Sequence, residues 1–394
     1  APPVMSPPKK TKALPPPVVK KNSWCMSSIG ANEGDLLRTG ETHAHQRQSQ
    51  VAFPAFPWTI KKRTVSRSRM TAPPVEDGAG NLYLGDHAGV FRKIAPNGTV
   101  LFSVKLGGAV WSQARLAEDE KSVFVGSDDD NIYKIATKNG TIIWKRRVFI
   151  CSPRKNTDPD HVKCDQDAPP ILAGGKMLMT GGRGVAALTT DGSPLWQFNV
   201  ASHVRGSIAS DSRGNFYFAS LGYQIVSLDP KGKRRWAYRA ASQCDSTPML
   251  AAPCMVIAGC DDQGLHAVDM ETGKRRWKLL GGGNFRGGGA LGSDGESVYW
   301  GNTDGYLYAT SLGGRVRWRY KTGGRIITPP LVDKAGNIFV VPEEKRVYLL
   351  SPAGALLYSR KIPFISDSMP FVVKSGAIML STEKGVLITL STTR

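Results

Sequence analysis

The residues best equipped for chemistry fall into three groups. Cys151 and Cys164, with His161 and the carboxylates Asp158, Asp160 and Asp165 around them, place potential metal ligands in one loop. Structural zinc wants four ligands in tight paired spacing, and these two cysteines are too far apart to form such a pair. The loop therefore reads as a partner contact with free thiols, with zinc or a loop disulfide as the alternatives. Asp167, Asp245 and Asp367 could ligate a cation or act as a base, but each opens a segment of strand character, where a carboxylate caps the strand start or faces solvent. Arg205, Arg286 and Arg325 could converge on an anion or an acidic peptide; alternation with Asp245 and Asp367 in ion pairs is the preferred reading.

Other motifs carry less. Gly281 to Gly289 is glycine-rich but precedes no helix, so its amides are not aimed at a phosphate, and close packing of strands explains it better. There is no GxSxG, HExxH or P-loop pattern. Cys25, Cys244, Cys254 and Cys260 follow no motif, and six cysteines in 394 residues are ordinary for a reducing compartment. Cys254 and Cys260, beside an apolar strand, read as buried thiols. No catalytic, cofactor-binding or metal residue is assigned, and neither a cofactor nor a small-molecule substrate is expected.

The elements that must position these groups repeat. Cys244 to Leu280 holds the full unit: a short strand after Ser246, a continuous apolar strand Met255 to Gly259, a turn, an alternating strand Leu265 to Asp269, a second turn, and a strand centred on Trp277. The residue closing the apolar strand recurs as Gly85, Gly126, Gly181, Ser220, Gly259, Gly301, Val341 and Ser381, in steps of 39 to 42 residues apart from one of 55. Aromatics follow at Phe102, Trp144, Trp196, Trp236, Trp277, Trp318 and Tyr358, and a turn glycine precedes each of them. The last unit lacks its fourth strand, whereas Phe56 to Arg63 supplies a spare one containing Trp58. The expected fold is all-β: an eight-bladed propeller of four-stranded blades over 56–394, closed by an N-terminal strand that removes open edges. Trp58 and the seven recurring aromatics are expected to dock between adjacent blades, with Trp144, Trp196, Trp236, Trp277 and Trp318 substantially buried there. The long step is an insertion at about 148–166.

The unit resembles the repeat of quinoprotein-alcohol-dehydrogenase-like propellers, most closely at Tyr299 to Ala309 and Ala267 to Lys274. The resemblance implies the fold and a docking role for the blade aromatic. That family includes cofactor-dependent dehydrogenases and non-enzymatic members such as the outer-membrane β-barrel assembly lipoprotein. The quinone site of the enzymes, as the resemblance implies, needs a calcium held by acidic and amide groups, a catalytic Asp and often a vicinal cysteine pair. This chain has no adjacent cysteines, and the non-enzymatic type is the expectation, with a quinone-dependent dehydrogenase as the least favoured alternative.

Charge supplies the functional hint. The net charge is +20, and residues 1–70 carry 12 Lys and Arg against 3 Asp and Glu, a balance that favours acidic partners. Residues 1–55 form a Pro-rich extended arm without core-forming content, its cations grouped as Lys9, Lys10 and Lys12, then Lys20 and Lys21, with Lys61, Lys62 and Arg63 following. These eight are the expected partner contacts. The expected role is a non-catalytic scaffold that docks with protein subunits of a large complex. Tubulin in a ciliary or flagellar axoneme is the favoured acidic polymer, with RNA in a mitochondrial ribosome second. The favoured location is accordingly cytoskeletal, with the mitochondrion next and a periplasmic scaffold third. No apolar run reaches the ~18 residues of a membrane span.

Overall fold

The computed structural model describes residues 49, 51–149, 168–182, 184–200, 202–366 and 368–392. Lys9, Lys10, Lys12, Lys20, Lys21, Cys25, Cys151, Cys164, Asp167 and Asp367 lie outside them. The described chain forms eight antiparallel four-stranded sheets, arranged as the blades of a propeller. Blades 1 to 7 are consecutive: 75–105, 115–147, 171–199, 209–239, 249–280, 289–321 and 331–361. Blade 8 combines 371–392 with the N-terminal strand Trp58–Thr64.

Burial explains the two kinds of strand seen in the sequence. Met255–Gly259, the second strand of blade 5, is buried at every position because neighbouring blades cover both its faces, so it needs no alternation. The outermost strands alternate between exposed and half-buried, as Val100–Lys105 does. The core is therefore a set of layers between blades. Tyr217 and Trp236 of blade 4, for example, share one cluster with Leu250, Val256 and Val268 of blade 5, and each fully buried aliphatic side chain contributes roughly 1.5–3 kcal/mol.

The ring closes through an antiparallel sheet built from both ends of the chain, with Trp58 opposite Thr392 and Thr64 opposite Val386. Trp58 itself departs from expectation. In blade 1 the docking Phe102 pairs with Lys93, two residues past the Phe91 that faces Gly85. The equivalent residue of blade 8 is Thr389, two past the Leu387 that faces Ser381, and its partner is Lys61. Trp58 lies three residues earlier and packs backward on blade 7, at 4.9 Å from Tyr358 and 5.6 Å from Phe339. Packing on the ring also begins before residue 56: Ser49 N–H donates to Val332 O at 2.6 Å, and buried Phe53 donates its N–H to Asp333 at 3.1 Å.

The cysteines require a second correction. Cys244 and Cys260 are not inert thiols but a disulfide, with Cα atoms 4.0 Å apart. Cys260 follows the second strand of blade 5 and Cys244 lies on the lead-in to the first, so antiparallel pairing carries both to one place. Cys254 is disulfide-bonded as well.

Candidate functional site: the channel mouth and the outer rim

Among the described residues, blades 1, 2 and 4 to 7 tie the second turn to the segment entering the innermost strand. Asp261 N–H donates to Gln243 O at 2.6 Å, Thr303 N–H to Asn284 O at 3.0 Å and Glu343 N–H to Arg325 O at 2.7 Å. These ties gather side chains from successive blades at one end of the ring. Glycines permit the crowding: a Cβ on Gly287 would overlap the Ile327 carbonyl oxygen, and one on Gly206 the Ser246 carbonyl oxygen. The glycine-rich stretch thus lets inner strands approach one another.

The arginines at this mouth are all paired. Arg286 grips Asp261 with two bonds, Nε to Oδ1 at 3.0 Å and Nη2 to Oδ2 at 2.6 Å. Arg325 Nε donates to Glu343 at 2.6 Å, and Arg205 stands 3.8 Å from Asp245. Burial pushes the Asp245 carboxyl above its ordinary range despite Arg205 and Arg286. The hydrogen bond to Asp261 pushes the Arg286 pKa upward. Arg205 meets the Asp245 expected from sequence, but Asp261 and Glu343 come from second turns whose proximity no spacing rule showed. Such a mouth is an ion-pair belt spanning blades 4 to 7, with its charge largely neutralised internally.

A related pattern escaped the sequence reading. An acid followed four residues later by an aromatic recurs in these turns: Tyr308 donates to Asp304 at 2.7 Å, Tyr348 to Glu344 at 2.7 Å, and Tyr133 to Asp129. Blade 5 places His266 in the tyrosine's position, 3.0 Å from Asp262, which also accepts from Lys278 at 2.8 Å. Burial lowers the His266 pKa against the pull of Asp262. Burial opposes the Asp262 charge, but Lys278 and His266 outweigh it and bring that carboxyl down to about 2. Cys260, Asp262 and His266 bring potential metal ligands together, yet the cysteine sulfur is committed to Cys244 and the carboxylate to Lys278.

The outer rim differs from the mouth. Every outermost strand except Pro194–Asn199 carries one to three Lys or Arg, and none carries Asp or Glu. Arg147, Arg235, Arg276, Lys278 and Arg317 are paired with Asp130, Glu271, Asp269, Asp262 and Asp294, whereas Lys61, Lys62 and Arg63 have no acidic partner among the described residues. These last three belong to the closing strand of the ring. The rim aromatics are used internally. Trp144, Trp196, Trp236, Trp277 and Trp318 lie over Gly192, Gly232, Gly273, Gly314 and Gly354 of the next blade, as Phe102 does over Gly140. Only Trp236 is buried; the others are half-buried, because one ring face covers the glycine and the outermost strand leaves the rest to solvent.

Residues 181–393, more than half of the chain, match the PQQ_2 repeat family, described as outer membrane protein assembly factor BamB. The chain belongs to this family. No curated protein matches it in sequence. Among solved structures, BamB from Moraxella catarrhalis superposes with a TM-score of 0.64 at 16% identity, over 84% of this chain and 98% of that one. The quinohemoprotein alcohol dehydrogenase from Comamonas testosteroni gives 0.74 at 12% identity, over 96% and 83%. A computationally designed protein, Ika8, gives 0.66 at 11% identity, over 83% and 96%. At these identities the likeness concerns the fold.

Among the described residues, those at the mouth do not fit a quinone and its calcium. The mouth carboxylates Asp261 and Glu343 are held by arginines rather than aimed at a cation. The disulfide of Cys244 and Cys260 joins positions 16 apart rather than neighbours in sequence.

Proposed function

We propose that this PQQ_2 propeller is a non-catalytic docking platform outside the reducing cytoplasm, bound through its basic rim to an acidic protein partner. The observation that carries the proposal is the outermost strands, seven of which bear cations while none of the eight bears a carboxylate. Such one-sided charge raises association rates and selects acidic surfaces. The mouth, by contrast, is internally neutralised. The Cys244–Cys260 bond supports that compartment, since stable disulfides are rare in the cytosol. That weighs against axonemal tubulin and favours an extracytoplasmic scaffold in the manner of BamB.

RNA in an organellar ribosome is the second reading, supported by tryptophans interleaved with arginines in Arg234–Arg239 and Val316–Lys321. Stacking on bases needs free aromatic faces, and these rings already cover glycines. The test compares polyglutamate with single-stranded oligouridylate at low and physiological ionic strength. Retention of polyglutamate but not RNA at physiological salt, weakened by Arg234→Glu, Arg275→Glu and Arg360→Glu, is expected. Tighter retention of RNA would overturn the reading in favour of a ribonucleoprotein.

A further inference from the structure

The seam between blades 8 and 1 is built differently from the others. At the position of Phe102, Trp144, Trp196, Trp236, Trp277, Trp318 and Tyr358 it has Lys61. The turn glycine on the facing blade, Gly98, is covered by the Arg63 guanidinium rather than by a ring. Beside them opens a cavity of about 620 Å³, with Leu82, Pro96, Val373, Met379 and Leu387 in its lining. That volume lies within the roughly 300–1,000 Å³ range of ligand sites. The Glu76 carboxylate in the lining is occupied by the Lys374 N–H at 2.8 Å.

We infer that this seam binds an acidic peptide segment of a partner protein that inserts an aromatic side chain where the docking aromatic is missing. The apolar lining accepts the ring, as the corresponding spaces accept the chain's own tryptophans. The carboxylates flanking that ring meet Lys61, Lys62 and Arg63, which lack acidic partners among the described residues. Three successive cations, on both faces of the strand, exceed what the single carboxylate of a small aromatic acid would engage, so the occupant is a segment of chain. The inference deepens the docking proposal and rests on it.

The probe is a fluorescein-labelled hexapeptide of one tryptophan among aspartates, read by polarisation with the full chain. Lys61→Trp restores the absent aromatic and is expected to weaken binding about tenfold or more while raising the melting temperature. Replacing the peptide's tryptophan with alanine is expected to cost about as much. Equal binding of the alanine peptide, with salt dependence retained, would overturn the seam but leave the basic rim standing; failure of both peptides to bind would sink the rim with it. Undiminished binding to Lys61→Trp would also overturn the site. If that variant does not fold, Thr389→Phe, which blocks the same cavity from the adjacent strand, gives the same reading. Competition by free indole-3-acetate at equal concentration would convert the site into one for small aromatic acids and refute the peptide.

Discussion

Trp236 Nε1 donates to the Met270 carbonyl oxygen at 2.9 Å while its ring covers Gly273, so one side chain fastens blade 4 to blade 5 by a hydrogen bond and a stacked face. Trp277 and Trp318 repeat the bond with Leu312 and Pro352 at 2.8 and 2.9 Å. Burial decides what each is worth. Trp236→Ala is expected to cost about 3 kcal/mol, at the low end for a buried aromatic, and half-buried Trp277→Ala about 2 kcal/mol. Chemical denaturation of the two variants checks the order; a larger loss at Trp277 would contradict the burial assigned to the two positions.

Closure depends on a strand drawn from the far end of the chain. Deleting residues 56–63 removes the partner of Val386–Thr392 and the two rings packed on Tyr358, Phe56 stacked at 5.3 Å and Trp58 edge-on at 4.9 Å. An exposed edge and a broken core layer are expected to give an aggregating product. Deleting residues 1–48 leaves every described contact in place. Thermal unfolding and light scattering of both deletions would test this, and similar melting temperatures would refute closure.

Blade 5 should lose stability in acid in two steps. The folded pKa of His266 is lowered, so below its unfolded value near 6.5 the unfolded chain takes up a proton that the folded chain refuses, and stability falls. The Asp262 carboxyl is held at about 2, so its contribution, complete above the unfolded value near 4, is lost as pH falls toward 2. His266→Gln is expected to abolish the upper step and leave the lower one. Denaturant midpoints measured from pH 7.5 to pH 2 would show whether the upper step persists in the variant.

The Cys244–Cys260 bond closes a loop with a sequence separation of 16. Restricting the unfolded chain over such a loop contributes about 3 kcal/mol. The double variant Cys244→Ser and Cys260→Ser, compared with the parent chain under non-reducing conditions, is expected to lose about that amount. Adding reductant to the variant isolates the contribution of the remaining disulfide chemistry, including Cys254. An unchanged midpoint in the double variant would mean that the two sulfurs are not joined in solution.

Repetition made the architecture readable from sequence. Gly140, Gly192 and their successors, each followed by an aromatic, mark a turn that must admit a ring, and only glycine leaves room for one; a Cβ on Gly314 would lie 2.6 Å from Cδ2 of Trp277. Because this constraint is local to each unit, blade number, strand order and closure by the first strand were all legible. Pairings between units were not. Trp58 carried the right residue type but the wrong register, since the pairing of Lys61 with Thr389 is decided by how strands from opposite chain ends align. Arg286 finds Asp261 and Cys244 finds Cys260 for a related reason. Spacing along a chain gives the strand on which a side chain sits, but the height at which blades stack decides which side chains meet.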